Sequence, residues 1–96
     1  MSLAADLKAE IRSRLQALEP VEVDLVDESE RHRGHAGYRE GGGTHWRLAI
    51  VSPRFAGCSV VARHRMVYQA LGGLMNNPIH ALAITARAPE EARGTR

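Results

Sequence analysis

Apolar residues recur at helical spacing at the start of this chain and at strand spacing directly afterwards, and this change restricts the fold more than any other feature of the sequence. One apolar stripe predicts an amphipathic helix over residues 3–18 that ends before Pro20. Its members are Leu3, Leu7, Ile11, Leu15 and Leu18. Residues 21–27 then alternate between apolar and polar, which predicts a half-buried strand.

The second half of the chain predicts two more strands and a long helix. Residues 44–51 alternate again, and residues 79–86 form a short apolar run after a break at Pro78. Between them, Ser59 is placed to cap a helix that runs to about Met75. The apolar positions that we assign to this helix are Val60, Val61, His64, Val67, Tyr68, Leu71, Leu74 and Met75.

The order of these elements predicts an α+β protein with the sequence α-β-β-α-β and a short final helix that begins at Pro89. The first two strands are expected to pair antiparallel, and the long helix is a crossover that makes the last pair parallel. We therefore predict a two-layer sandwich with a three-stranded mixed sheet and helices on one face. It forms a single domain over residues 1–92, with a frayed tail at residues 93–96.

Composition excludes several classes of protein. The net charge of +2 is too small for binding to nucleic acid by charge alone, and one cysteine cannot form an internal disulfide. No apolar run is long enough to span a membrane and no secretory signal is visible, so a cytoplasmic location without membrane contact is expected. The phosphate-loop, zinc-protease and serine-hydrolase motifs are absent, so we expect no enzymatic activity.

The residues that could bind a metal are five histidines and one cysteine: His32, His35, His45, His64, His80 and Cys58. His64 lies on the apolar stripe and is interpreted as packing, and His45 as a strand residue. His80 lies near the end of a strand, where a ring nitrogen can stay exposed. Residues 29–43, which hold His32, His35 and five of the nine glycines, form a long loop of the kind that often carries function.

These residues do not make a complete metal site. A structural zinc site takes four nitrogen or sulfur ligands, and the chain has one cysteine. A more specific hypothesis is that a loop histidine and His80 supply half of the ligands of a metal site and a partner protein supplies the rest. Cys58, just before the long helix, is either a reactive thiol or an ordinary small residue.

Three blocks of the sequence together resemble the BolA family. The first is Asp27-Glu28-Ser29 with the histidine-bearing loop that closes at Gly43-Thr44-His45-Trp46. The second joins Ser52-Pro53-Arg54-Phe55-Ala56-Gly57 to Arg63-His64-Arg65, and the third is Ile79-His80-Ala81-Leu82 followed by Ala88-Pro89-Glu90-Glu91. The resemblance implies a fold similar to a type II KH domain.

The resemblance also implies a partner and a cofactor. Members of this family pair with monothiol glutaredoxins around a bridging [2Fe–2S] cluster, whose thiolates come from the glutaredoxin and from glutathione. His80 matches one family ligand, and His32 or His35 matches the other. The chain is thus expected to be an adaptor in iron–sulfur trafficking or in iron and redox regulation, with no cluster held tightly by the isolated chain.

Three alternatives stay open from the sequence. One is a DNA-binding regulator of morphology or stress response that uses a surface formed by Arg54, Arg63 and Arg65, of which Arg63 and Arg65 are expected to point away from the core. Another is independent binding of zinc or another metal by His32 and His35. A homodimer is the third.

Overall fold

The computed structural model of this chain describes residues 3–29 and 42–94. Its elements are α1 (Leu3–Leu15), β1 (Glu22–Asp27), β2 (His45–Val51), α2 (Val60–Leu71), β3 (Ala81–Arg87) and α3 (Pro89–Gly94). The predicted order of helices and strands is confirmed. Both long helices end earlier than predicted because their final residues tighten into short 3-10 turns, over Gln16–Leu18 and Gly72–Met75.

The sheet has the order β1-β2-β3, with β1 antiparallel to β2 and β2 parallel to β3. This confirms the mixed sheet. The parallel pair exists because α2 carries the chain back to the edge from which β2 began. As a result, the residues that precede β2 and β3 meet at one edge of the sheet.

One face of the sheet carries the core and the other faces solvent. Leu25, Leu48 and Ile84 lie side by side in the register, and α1 and α2 pack over this face. The neighbouring row of Asp24, Ala49 and Thr85 is exposed. The buried apolar cluster on the inner face consists of Ile11, Leu15, Leu18, Leu25, Trp46, Leu48, Ile50, Phe55, Val67, Leu71 and Ile79.

The predicted apolar face of α2 is partly wrong. Val60 and Val61 are 67% and 58% exposed, and Tyr68 is also exposed, although all three were assigned to the buried stripe. The buried residues of α2 are Arg63, Val67 and Leu71, which recur every four residues. His64, predicted to pack in the core, is half-buried.

Arg63 accounts for this difference in helix orientation. We predicted it on an exposed surface, but it is only 8% exposed, so that prediction is wrong. Its guanidinium donates to the carbonyl oxygens of Cys58 and Ala86, both at 2.9 Å, and to both carboxylate oxygens of Glu91 at 2.7 and 2.9 Å. A buried arginine with all these acceptors is satisfied, so it can occupy an inward position that a sequence pattern assigns to an apolar residue.

The same contacts shift two pKa values. The hydrogen bond from Arg63, followed by one from the Ala88 N–H, lowers the pKa of Glu91 from 4.5 to about 2. The hydrogen bond to Glu91 raises the pKa of Arg63, against the opposing effect of burial. This ion pair joins α2 to α3. Helix α3 continues to Gly94, two residues into the segment that we predicted as a tail.

Candidate functional site

The chain segments on either side of residues 30–41 are bonded to each other. One carboxylate oxygen of Asp27 accepts from the N–H and the hydroxyl of Ser29, at 2.9 and 2.6 Å, and the other accepts from the Gly43 N–H at 3.1 Å. An aspartate that bonds the main chain two residues later is typical of a turn. Gly43 has φ of 88°, a conformation that favours glycine.

Ser29 extends this network toward β2. It is 1% exposed, and its hydroxyl oxygen accepts from the main-chain N–H groups of Thr44 and His45, at 3.0 and 3.2 Å. The described residues leave no buried side-chain nitrogen or oxygen without a hydrogen-bond partner. The Asp27–Ser29 pair therefore fixes the start of β2, where His45 lies.

Thr44 connects this network to the start of β3. Its carbonyl oxygen accepts from the N–H groups of His80 and Ala81, at 2.7 and 3.1 Å. His45 is paired in the parallel register with Ala81, the residue that follows His80. The centroids of the two imidazole rings are 5.2 Å apart and the rings are tilted by 53°.

The two histidines differ in exposure. His80 is exposed, whereas His45 is 5% exposed and its Nδ1 lies 2.9 Å from the Thr44 hydroxyl oxygen. A cavity of about 300 Å³ opens beside His80. It is lined by Thr44, Met75, Asn76, Asn77, Pro78, Ile79 and His80. An exposed imidazole beside an open cavity is accessible to a ligand group from another molecule.

The candidate ligands predicted from the sequence are placed unevenly. His80 lies just before β3, one residue outside the strand in which we predicted it, and it keeps an exposed ring. His32 and His35 lie outside the described residues, so the choice between them stays a prediction. His45 was interpreted as an ordinary strand residue. A parallel β2–β3 pair brings the two strand starts together, and the predicted topology was therefore a signal from which the closeness of His45 to His80 could have been found.

Cys58 lies at the other end of the sheet from His80. Its thiol contacts the Arg54 carbonyl oxygen at 3.6 Å, and its own carbonyl is joined through Arg63 to Ala86, near the end of β3. Five residues of strand, roughly 16 Å, separate Ala81 from Ala86. Cys58 therefore does not lie beside His45 and His80.

His45 and His80, which we call the imidazole pair, supply too few donor atoms for a complete metal site. Over residues 3–29 and 42–94, no three His, Cys, Asp or Glu side chains are grouped so that they could hold a metal ion. Two nitrogen donors fit half of a four-ligand site, and the remaining ligands would have to come from elsewhere.

The predicted arginine surface is smaller than expected. Arg54 is half-exposed but its Nε donates to Glu19 at 2.8 Å, and Arg63 is buried against Glu91. Arg65 is exposed. Of the three arginines, two already have carboxylate partners.

The fold is that of a small α+β protein in which two histidines, His45 and His80, lie side by side at one edge of a mixed sheet. A family model described as BolA-like protein matches residues 15–91, which is most of the chain. This chain therefore belongs to the BolA family. The description of that family names no enzymatic activity.

Individual relatives agree with this assignment. BolA-like protein 1 of Mus musculus is 44% identical over 91 residues, which cover 94% of this chain and 64% of the relative. SufE-like protein 1 of Arabidopsis thaliana, which is named as chloroplastic/mitochondrial, is 43% identical over 84% of this chain and 23% of the relative. The chain thus spans just under two thirds of the first of these relatives and less than a quarter of the second.

The structure of BolA1 from Arabidopsis thaliana is also similar. It superposes with a TM-score of 0.76 and is 37% identical, with 88% of this chain and 94% of that chain covered. In the part of our chain that the structure describes, no helix is long and apolar enough to cross a membrane. The cytoplasmic location stays a prediction.

Proposed function

We propose that this chain is an adaptor that binds a monothiol glutaredoxin and contributes imidazole ligands to a [2Fe–2S] cluster shared between the two proteins. The observation that supports this most is the pairing of His45 with His80 at the edge of the sheet, 5.2 Å between ring centroids and beside an open cavity. Two imidazoles without thiolates fit a site that another protein completes. The SufE-like name of one relative is consistent with a role in iron–sulfur metabolism.

His80 is the first ligand in this proposal because its ring is exposed and its main chain is fixed by the Thr44 carbonyl. The second imidazole comes from His32 or His35, as the family pattern implies, or from His45. Thiolates of the glutaredoxin and of glutathione fill the other positions. Neutral imidazoles in place of two thiolates remove negative charge, and this change raises the reduction potential of such a cluster.

The hydrogen bonds at the base of the loop serve this role in a specific way. Asp27, Ser29 and Gly43 join the two chain segments that flank residues 30–41 next to Thr44, whose carbonyl oxygen accepts from the His80 N–H. In this proposal, the covalent link of His32 or His35 to these segments raises the effective concentration of that histidine at the site. The chain can then complete its half of the donor set when the partner arrives.

The experiment is reconstitution of the heterodimer. The chain is mixed with a monothiol glutaredoxin, iron, sulfide and glutathione, and visible absorption and circular dichroism are recorded. We expect His80→Ala to change or abolish the heterodimer spectrum. The variants His45→Ala and His32→Ala/His35→Ala, tested in parallel, identify the second ligand.

Matched controls keep this experiment specific. His64→Ala removes a half-buried imidazole of α2, and Cys58→Ser removes the thiol at the other end of the sheet. Both are expected to leave the spectrum as in the wild type. If His80→Ala also leaves it unchanged, the assignment of His80 as a ligand is wrong, and if no heterodimer spectrum forms with the wild type, the adaptor function is wrong.

DNA binding is the weaker proposal because Arg63 is buried and Arg54 is paired with Glu19. It depends mainly on Arg65. Affinity for duplex DNA measured against salt concentration tests it, since each phosphate contact releases counterions. An affinity that falls steeply with salt, and that Arg65→Ala weakens, would support this alternative.

A further inference from the structure

Strand β3 lies at one edge of the sheet and pairs on one side only. Within residues 3–29 and 42–94, the strand order β1-β2-β3 leaves no strand beside its other side. The Ala81 N–H donates to the Thr44 carbonyl oxygen, so the odd-numbered residues of β3 bond toward β2. The residues between them direct their main-chain N–H and carbonyl groups to the free edge. They are Leu82, Ile84 and Ala86.

One end of this free edge is already occupied. The Ala86 carbonyl oxygen accepts from the guanidinium of Arg63 at 2.9 Å. The N–H and carbonyl groups of Leu82 and Ile84 have no hydrogen-bond partner among the residues that the structure describes. An unpaired row of this kind is a template for a further strand.

The two edges of the sheet differ in the residues that discourage such pairing. β1 carries the carboxylates of Glu22, Asp24 and Asp27 and follows Pro20. β3 has neither a charged residue nor a proline over residues 81–86. Because charges and prolines are what proteins place on an exposed edge to prevent pairing, β3 is the edge that stays open to another strand.

Helix α2 adds an apolar row beside this edge. α1 contacts β1 and α2, and α2 contacts β3, so α1 covers only one flank of α2 and the other flank overhangs the free edge. The covered flank is that of Met66 and Ala70, which are half-buried. The opposite flank carries Val61 and Tyr68, which are 58% and 42% exposed. We call the free edge of β3 together with Val61 and Tyr68 the open-edge surface.

We propose that the open-edge surface pairs with the same surface of a second copy of this chain. The two β3 strands run antiparallel, with the two-fold axis at Ala83. Leu82 of each copy then lies opposite Ile84 of the other, and each such pair exchanges both of its N–H···O bonds. A register centred on Ile84 would instead require the Ala86 carbonyl oxygen, which Arg63 occupies.

A second copy fits this surface in side chains as well as in hydrogen bonds. Ala83 is exposed and small, so the closely spaced pair on the axis has room. On the inner face, Leu82 and Ile84 are half-buried in one copy and cover each other across the axis. Val61 and Tyr68 of the two helices approach above them, and no like charges oppose one another along residues 81–86.

The expected dimer is weak. One strand and one row of a helix bury little area, at the low end of protein interfaces, so association depends on concentration. Sedimentation velocity is therefore measured from about 10 μM to about 1 mM protein, and the sedimentation coefficient is expected to rise over this range. Amide hydrogen exchange of Leu82 and Ile84 should slow as the concentration rises.

Charges placed on the axis test the register. In Ala83→Lys and in Ala83→Glu, like charges lie directly opposite each other, so each variant alone is expected to stay monomeric. An equal mixture of the two should dimerise again because the charges are then opposite. Ala49→Lys, the same substitution on the same face of the central strand, is the control and should dimerise as the wild type does.

A second pair of variants tests the contribution of α2. Tyr68→Ala should weaken dimerisation by about tenfold, the effect that loss of a central aromatic side chain has on an interface. Gln69→Ala, at the next and also exposed position, should leave it unchanged. Circular dichroism of each variant confirms that the monomer is folded.

Four results would overturn this inference. They are a wild type that sediments as a monomer over the whole range, a dimer that Ala83→Lys leaves intact, mixed axis variants that stay monomeric, and a Tyr68→Ala variant that dimerises as tightly as the wild type. A dimer abolished by Ala49→Lys instead would lie on the outer face of the sheet, and it overturns the inference too. No metal and no glutaredoxin enters these measurements, so the inference does not depend on the proposed function.

Discussion

Arg63 and Glu91 form a two-point ion pair, with nitrogen–oxygen distances of 2.7 and 2.9 Å, that ties the first turns of α2 to α3. The same guanidinium donates hydrogen bonds to the carbonyl oxygens of Cys58 and Ala86. One charged side chain thus holds together the end of the sheet opposite the imidazole pair. Its position in the inner row of α2 sets the face that this helix presents to the core.

Replacement of Arg63 should destabilise the protein strongly for a single polar residue. In Arg63→Ala, the Cys58 and Ala86 carbonyls and the Glu91 carboxylate lose their donor, and we expect a loss of about 2 kcal/mol in the free energy of unfolding. Urea denaturation followed by circular dichroism measures it. Arg65→Ala, at an exposed position of the same helix, is the control and should change stability by less than about 0.5 kcal/mol. Equal effects of the two variants would contradict the assigned role of Arg63.

The ion pair also predicts how stability depends on pH. Because the pKa of Glu91 is lowered from 4.5 to about 2 in the folded chain, its contribution is fully present above pH 4.5. Below that pH the unfolded chain takes up the proton first, and the contribution is lost progressively as the pH falls toward 2.

Glu91→Gln should therefore unfold at a lower urea concentration than the wild type at neutral pH. Its stability should also fall less steeply than that of the wild type between pH 4.5 and 2. Urea midpoints measured across this range check the prediction. Glu90→Gln, one residue earlier and exposed, is the matched control. A Glu91→Gln curve parallel to that of the wild type would exclude this residue as a source of acid sensitivity.

The orientation of α2 can be tested with two valines of the same helix. Val67 is fully buried and Val61 is 58% exposed. Val67→Ala should lower the free energy of unfolding by about 2 kcal/mol, through lost apolar burial and an unfilled cavity. Val61→Ala removes the same atoms and should have little effect, since these atoms stay in water. Comparable losses in both variants would mean that the predicted stripe, and not the observed one, faces the core.

The stability of the chain should depend on the Ser29 hydroxyl, because it joins the segments on either side of residues 30–41. Ser29→Ala removes the acceptor of the Thr44 and His45 N–H groups, which stay buried, and we expect a loss of about 2 kcal/mol. Thermal and urea unfolding measure the change. Ser13→Ala, at an exposed position of α1, is the control and should be nearly neutral. A nearly neutral Ser29→Ala would show that water or another group replaces the hydroxyl.

Periodicity was sufficient for most of the fold. The positions of α1, β1 and β2 followed from apolar spacing because each of these elements buries one face against the core, as Ile11 and Leu48 do. The order of elements also gave the mixed sheet. The orientation of α2 did not follow, because the buried Arg63 depends on acceptors of which two, on Ala86 and Glu91, are 23 and 28 residues away in the sequence.

The site was predictable only in part. His80 stood out from its position near a strand end and from the family resemblance. His45 did not, because its closeness to His80 depends on the register between two strands that are separated by the whole of α2. The hydrogen bond that the His80 N–H donates to the Thr44 carbonyl oxygen likewise joins residues that no local sequence pattern brings together.

The sequence by itself determined which segments become helices and strands, since apolar spacing and turn residues are local properties of the chain. It also determined the family. Only the tertiary structure decided that Arg63 faces inward and that His45 and His80 form a pair. The physical reason is the same for both: burial of a charge and proximity of two rings are set by partners far away in the sequence, and the parallel register and the packing of α2 bring those partners together.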